Sequence, residues 1–169
     1  HGIFFNFPKD FSSQNCRGLE PIGSHIRYIP DFCFWNGKVV LATDEASIQG
    51  NPMIGQPQSN LWFGDFEELK SWGPRNAAGS IYMNDRVETG VPSAPFLING
   101  FPQKMVHLVS DRPVTFSLEV DRKGSGQFEE YKRIKTSGYT SYIFPKGFEG
   151  QWIRVVVDKS CKVSVSFQF

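Results

Sequence analysis

Long apolar runs are missing from this sequence. The longest uninterrupted ones are around five residues, against the roughly 20 that a membrane-crossing helix needs, so no such span is present. Charge of one sign is not in excess either. The 18 Lys and Arg stand against 17 Asp and Glu for a formal net charge of +1. The basic residues are scattered rather than gathered in a stripe, which gives no electrostatic argument for nucleic acid. Cysteine is scarce: Cys16, Cys33 and Cys161 lie far apart without CxxC spacing, which excludes a zinc ribbon or a dithiol redox motif. One disulfide with a free thiol and three buried thiols both remain open. No Asn-x-Ser/Thr sequon occurs, so composition leaves the compartment open. The chain begins at His1 rather than Met, which reads as a processed mature form, a trimmed form or a fragment of something longer.

Aromatic residues, by contrast, are plentiful: 16 Phe, 5 Tyr and 4 Trp among 169 residues. They suit pleated, half-buried surfaces. With 16 Gly and 11 Pro, a turn-former recurs about every six residues, which favours short strands over long helices. Residues 1–24 read as irregular, with one short strand at Ile3–Phe7. His25 to Thr43 is the clearest hairpin of the first half, because Asn36-Gly37 stands between two apolar runs and both central residues of such a turn take positive φ. A loop from Asp44 to Ser59 follows, then a strand at Asn60–Gly64. A helical turn comes next, which Asp65 is placed to cap and Gly73 to end.

Residues 74–95 read as loop with a short strand at Ile81–Met83. Phe96–Ile98 and Lys104–Val109 read as a strand pair joined at Asn99-Gly100. After a turn at Asp111–Pro113, Val114, Phe116, Leu118 and Val120 alternate with Thr115, Ser117, Glu119 and Asp121. That period of two marks a strand with one wet face. Lys123–Gly126 turns the chain into a partner at Gln127–Ile134, and Tyr139–Phe144, Trp152–Val157 and Cys161–Phe169 complete an antiparallel sandwich. The fold expected is all-β: a blade-like segment over 1–92 and an antiparallel β-sandwich module over 93–169.

Two stretches carry a family resemblance. Phe32-Cys33-Phe34-Trp35-Asn36-Gly37-Lys38-Val39-Val40-Leu41-Ala42-Thr43-Asp44 looks like the second and third strands of a β-propeller blade. Asn60 to Trp72 looks like the outer strand with its D-L-x-x-W turn. The first half thus resembles one blade of the propellers found in glycoside hydrolases and sialidase-like proteins. The second half resembles the C-terminal sandwich module appended to secreted bacterial carbohydrate-active proteins. A propeller needs four or more blades. The resemblance therefore implies the C-terminal piece of a larger parent protein, extracellular or periplasmic, or a blade-like sheet absorbed into a sandwich.

Candidate chemistry follows from residue type. Asp31, Asp44, Glu45, Asp65 and Asp85 are carboxylates among which glycoside hydrolysis would need two at about 5–10 Å, with Asp44 and Glu45 at a strand end the first choice as catalytic pair. Turn chemistry and capping are the plainer account. His25 and Arg27, two apart on one strand face, are candidates for an anionic sugar or sulfate. Trp35, Trp62, Trp72 and Tyr82 could stack on pyranose faces, against the plainer account of core packing. His1 followed by Gly2 resembles the start of the copper-dependent polysaccharide monooxygenases, which would need His25 or His107 as second ligand. The Asp121–Gly126 loop leads into a strand and lacks a carboxylate ladder, so it is a hairpin turn rather than a phosphate or calcium loop. The resulting expectation is an accessory β module contacting a glycan or polysaccharide, without cofactor, metal, nucleic acid or membrane, and not catalytic by itself. A hydrolase fragment, a copper enzyme and a purely structural domain are the competing classes.

Overall fold

The computed structural model describes residues 2–26, 28–44 and 59–169; of Tyr28, Asp44, Ser59 and Asn60 it describes the backbone. The described chain is all-β, with a 3-10 turn at Phe66–Ser71 as its one helical element. It divides into two compact units, residues 1–5 with 21–74, and residues 6–20 with 75–169. The division thus falls at 74/75, ahead of the 92/93 read from the sequence.

The first unit holds β1 (Gly2–Asn6) paired with β2 (Glu20–His25), and a meander of β3 (Tyr28–Trp35), β4 (Lys38–Asp44) and β5 (Ser59–Gly64). The β3–β4 hairpin closes through Asn36 and Gly37 at φ 50° and 75°, with Trp35 opposite Lys38, as the sequence predicts. Alternation places Val39 and Leu41 on one face of this sheet. There they pack with Ile22 and Leu69, flanked by Phe4, Trp62, Phe66 and Trp72. The helical turn brings Leu69 down onto that face. Gly23 makes this fit, since a Cβ there would meet the Leu69 carbonyl.

The second unit contains β6 (Ala78–Val87), β7 (Phe96–Leu97), β8 (Met105–Asp121), β9 (Glu129–Ile143), β10 (Trp152–Val157) and β11 (Cys161–Gln168). All belong to one antiparallel sheet in the order β6-β11-β8-β10-β7, with β9 also on β8. The early part of β8 pairs with β11 over Met105–Ser110, and its later part pairs with β10 over Phe116–Asp121. The two layers of the expected sandwich are therefore halves of one curled sheet. Val106, Leu108, Phe116, Leu118, Val120, Ile153, Val163, Val165 and Phe167 fill its interior, each at most 1 % exposed.

Several sequence expectations need correcting. Asp111–Pro113 is a bulge within one 17-residue strand, where Pro113, having no N–H to pair, costs the ladder nothing. Tyr139–Ile143 is not a separate strand but the second half of β9, carried through Gly138 at φ 90°, and Phe144 lies just past its end. Phe96–Leu97 pairs with Trp152–Ile153 of β10, not with the strand that follows Asn99-Gly100. Ten residues at 78–87 form a strand where the sequence predicts only Ile81–Met83, because β6 sits at the sheet edge and its exposed residues hide the alternation. Residues 6–20 are tied to the second unit. There the Trp152 indole N–H donates to the Cys16 carbonyl (2.7 Å), and the Gln151 side chain bonds Gly18 N–H and the Leu19 carbonyl, both at 2.9 Å. Cys16, Cys33 and Cys161 are all free: half-buried, exposed and buried respectively, which removes both the disulfide and the set of three buried thiols.

Phe116→Ala should cost about 3–5 kcal/mol, read from urea unfolding, because it removes a fully buried ring and leaves a cavity in the core. Alkaline stability has a second determinant. Burial, and then the hydrogen bond to the Tyr142 hydroxyl (3.0 Å), push the Tyr131 phenol from 10 up to about 12. The unfolded chain loses this proton near pH 10 while the folded chain keeps it to about 12, so stability falls as pH rises through that window. Tyr131→Phe should flatten the fall between pH 10 and 12 in pH-dependent unfolding curves.

Candidate functional site

Register in the three-stranded sheet defines its second face. Cys33 lies opposite Val40 and Val40 opposite Phe63; Trp35 lies opposite Lys38, and Ala42 opposite Leu61. Directly opposed residues share a face. Asp31, Cys33, Trp35, Lys38, Val40, Ala42, Leu61 and Phe63 therefore form one surface, turned away from the Val39–Leu41 core. Trp35, Leu61 and Phe63 are 63, 63 and 51 % exposed, while Val40 between them is buried. The Trp35 and Phe63 rings meet edge to face, with centroids 6.2 Å apart. Beside Trp35 the Lys38 ammonium sits 2.9 Å from each Asp65 carboxylate oxygen, and Asp65 in turn raises the Lys38 pKa through that bond. Asp65 holds the N-cap position of the helical turn, and its amide donates to Glu68 Oε1 at 3.0 Å. The arrangement is a fixed aromatic corner with a polar pair at its rim.

The sequence-derived aromatic candidates do not gather in one place. Trp62 points to the opposite face from Trp35 and packs edge to face with Trp72 at 4.9 Å, inside the core of the first unit. Tyr82 belongs to the second unit, half-buried against its core, with a phenol pKa raised by burial and then by Asp85. Phe63, which completes the corner with Trp35, is not among the aromatic residues the sequence pattern points to. Counting two residues from Trp35 and matching the β4–β5 register would have found it.

The remaining candidates are dispersed. Asp44 ends β4 opposite Tyr28 and Ser59, its side chain outside the described residues, as are Glu45, Arg27 and His1 altogether. The hydrolase pair, the Arg half of the anion pair and the N-terminal copper ligand therefore fall where the structure describes no side chain. His25 lies against Phe4, ring centroids 4.5 Å apart, directly over Gly2, where no side chain would fit. His107 in the second unit shares a 2.8 Å hydrogen bond with the Tyr139 hydroxyl. Asp31 Oδ1 accepts from Phe32 N–H (2.8 Å) in β3 and Asp85 Oδ2 from Met83 N–H (2.7 Å) in β6, each beside a register irregularity of its strand rather than in a turn. Asp121, 1 % exposed, accepts from the amides of Lys123, Gly124 and Gly126 at 3.0, 2.9 and 2.7 Å, fixing the hairpin turn. Among the described residues no group of three or more His, Cys, Asp or Glu is arranged to hold a metal ion.

No family model and no curated protein sequence matches the chain. Among solved structures, the crystal structure of PirA matches at 11 % identity over 56 % of this chain and 93 % of that one, with a TM-score of 0.31. A likeness this loose has no bearing on function.

Trp35 is the most exposed of the four tryptophans, the other three being half-buried. Trp35→Phe should remove most of the iodide-quenchable tryptophan emission while moving the unfolding free energy by no more than about 0.5 kcal/mol.

Proposed function

We propose that the chain is a non-catalytic β module of a secreted or periplasmic carbohydrate-active protein, and that it contacts a glycan through the Trp35–Phe63 face. The observation that carries this reading is the exposure of an indole carried beside a two-residue hairpin turn, with Phe63 against it and the Lys38–Asp65 pair at its edge. A pyranose presents C–H groups on one face and hydroxyls around its rim. An aromatic ring receives the first, and a charged pair exchanges hydrogen bonds with the second. Contiguous exposed apolar surface with a polar border is the usual mark of a binding site. The three-stranded antiparallel meander with its outer helical turn also agrees with the blade resemblance of residues 32–72.

A second reading has its own support. Cys33 and Leu61 extend the apolar surface beyond the rings, which suits a flat neighbouring sheet of a parent protein as well as a sugar.

Affinity electrophoresis through gels containing neutral or acidic polysaccharides separates the two. Retardation by a polysaccharide, lost in Trp35→Ala while the urea midpoint is unchanged, is the expected result. Equal retardation of wild type and Trp35→Ala, or none on any polysaccharide, would overturn the glycan reading. Release of reducing sugar by the chain would overturn its non-catalytic part.

A further inference from the structure

Within the second unit, the turn at Phe101–Lys104, the Gly147–Gly150 loop and the end of β8 enclose an open pocket of about 510 Å³. Three cations line it, Arg75, Lys104 and Arg122, against a single acid, Glu149. Lys104 is the unusual member. It is 8 % exposed, and its ammonium donates to the carbonyls of Phe101 (2.6 Å) and Phe148 (3.1 Å). Two of its three protons are thus used, and it has no carboxylate partner among the described residues.

A charge taken out of water without a counter-ion is costly. Here burial lowers the Lys104 pKa, the Glu149 carboxylate in part raises it again, and Arg75 lowers it by less. Arg75 has no acidic partner among the described residues. Arg122 is fixed by Glu129 Oε1 (2.8 Å) and the Glu149 carbonyl (2.8 Å), with its guanidinium 5.6 Å from the centre of the Phe148 ring. Gly100 and Gly147, both at φ 79°, form a rim free of side chains, so a ligand can approach the backbone closely.

We propose that this pocket binds an oxyanion, the carboxylate or sulfate group of an acidic glycan, between Arg75, Lys104 and Arg122. The oxyanion is argued from the pocket alone; its attachment to a glycan rests on the function proposed above. An oxyanion supplies the missing counter-charge to Lys104, and guanidinium groups match its planar or tetrahedral oxygens.

The test uses the full chain and follows its unfolding temperature and calorimetric binding with sodium sulfate, against sodium chloride at matched ionic strength. Polygalacturonate and a sulfated dextran are then compared with neutral dextran. Saturable stabilisation by sulfate but not chloride is expected, weakened tenfold or more in Arg75→Gln, an exposed position where folding is not at stake. Lys104→Met should abolish it. Equal effects of sulfate and chloride, or an unchanged sulfate affinity in Arg75→Gln, would overturn the pocket. Binding of free sulfate with no response to either acidic polymer would keep the oxyanion site and overturn its glycan source. Neutral polysaccharide binding that survives Arg75→Gln but not Trp35→Ala, in a chain indifferent to sulfate, would overturn this inference and leave the function proposed for the Trp35 face standing.

Discussion

The second unit depends on one geometric constraint: β8 must keep the same side chains facing inward on both sides of its bend. Between the pairs Ser110–Gly138 and Val114–Thr136, β8 advances four residues while β9 advances two. The excess is two residues, an even number, so the pleat parity survives. Val106 and Leu108 before the bulge, and Phe116, Leu118 and Val120 after it, all point inward and are fully buried. An excess of one would have turned every later side chain to solvent. The bulge therefore lets one strand serve both layers. The remaining strands follow from it: β11 and β10 pair with its two halves, and β9 bends with it.

This parity is also why so much of the second unit was legible in the sequence. Alternation at Val114–Val120 and again at Cys161–Phe167 reports a face rather than a partner, and both faces are buried as read. What alternation cannot report is which strand lies alongside. Phe96–Leu97 is only two residues long, and sequence proximity pairs it with the strand that follows, whereas its partner is β10, more than fifty residues on. Asp111-Arg112-Pro113 has the composition of a reverse turn, and only the two pairing strands reveal a bend. Residues 6–20 carry no periodic signal at all. Side-chain amides and an indole of the second unit hold them through backbone carbonyls and amides, groups every residue has.

The sites were less legible than the fold, for a related reason. Trp35 was identifiable because Asn36-Gly37 fixes the register around it, but its neighbour Phe63 comes from the next strand but one. The four tryptophans look alike in sequence, yet β-strand parity divides Trp35 from Trp62, and only the second enters a core. The charged pocket draws on positions 75, 104, 122 and 149, which no spacing rule connects. Lys104 looks like an ordinary surface lysine until the Phe101 and Phe148 carbonyls are seen to hold its ammonium beneath the surface.

The two surfaces work by different physics, and this bears on how a module of this kind would engage a polymer. An aromatic corner acts at contact distance and is indifferent to salt, so its strength is expressed in how slowly a ligand leaves. With Arg122 already paired to Glu129, the cations Arg75 and Lys104 act against Glu149 over about a Debye length, ~8 Å at physiological ionic strength, and chiefly raise the rate of arrival of an anionic ligand. The overall charge of +1 adds almost nothing to such steering. Attraction of an acidic chain must therefore come from the local imbalance around Lys104. A polymer recognised at both surfaces would lose affinity steeply with salt only for the charged part of the interaction. A neutral glycan held at Trp35 would be held equally well at high and low salt.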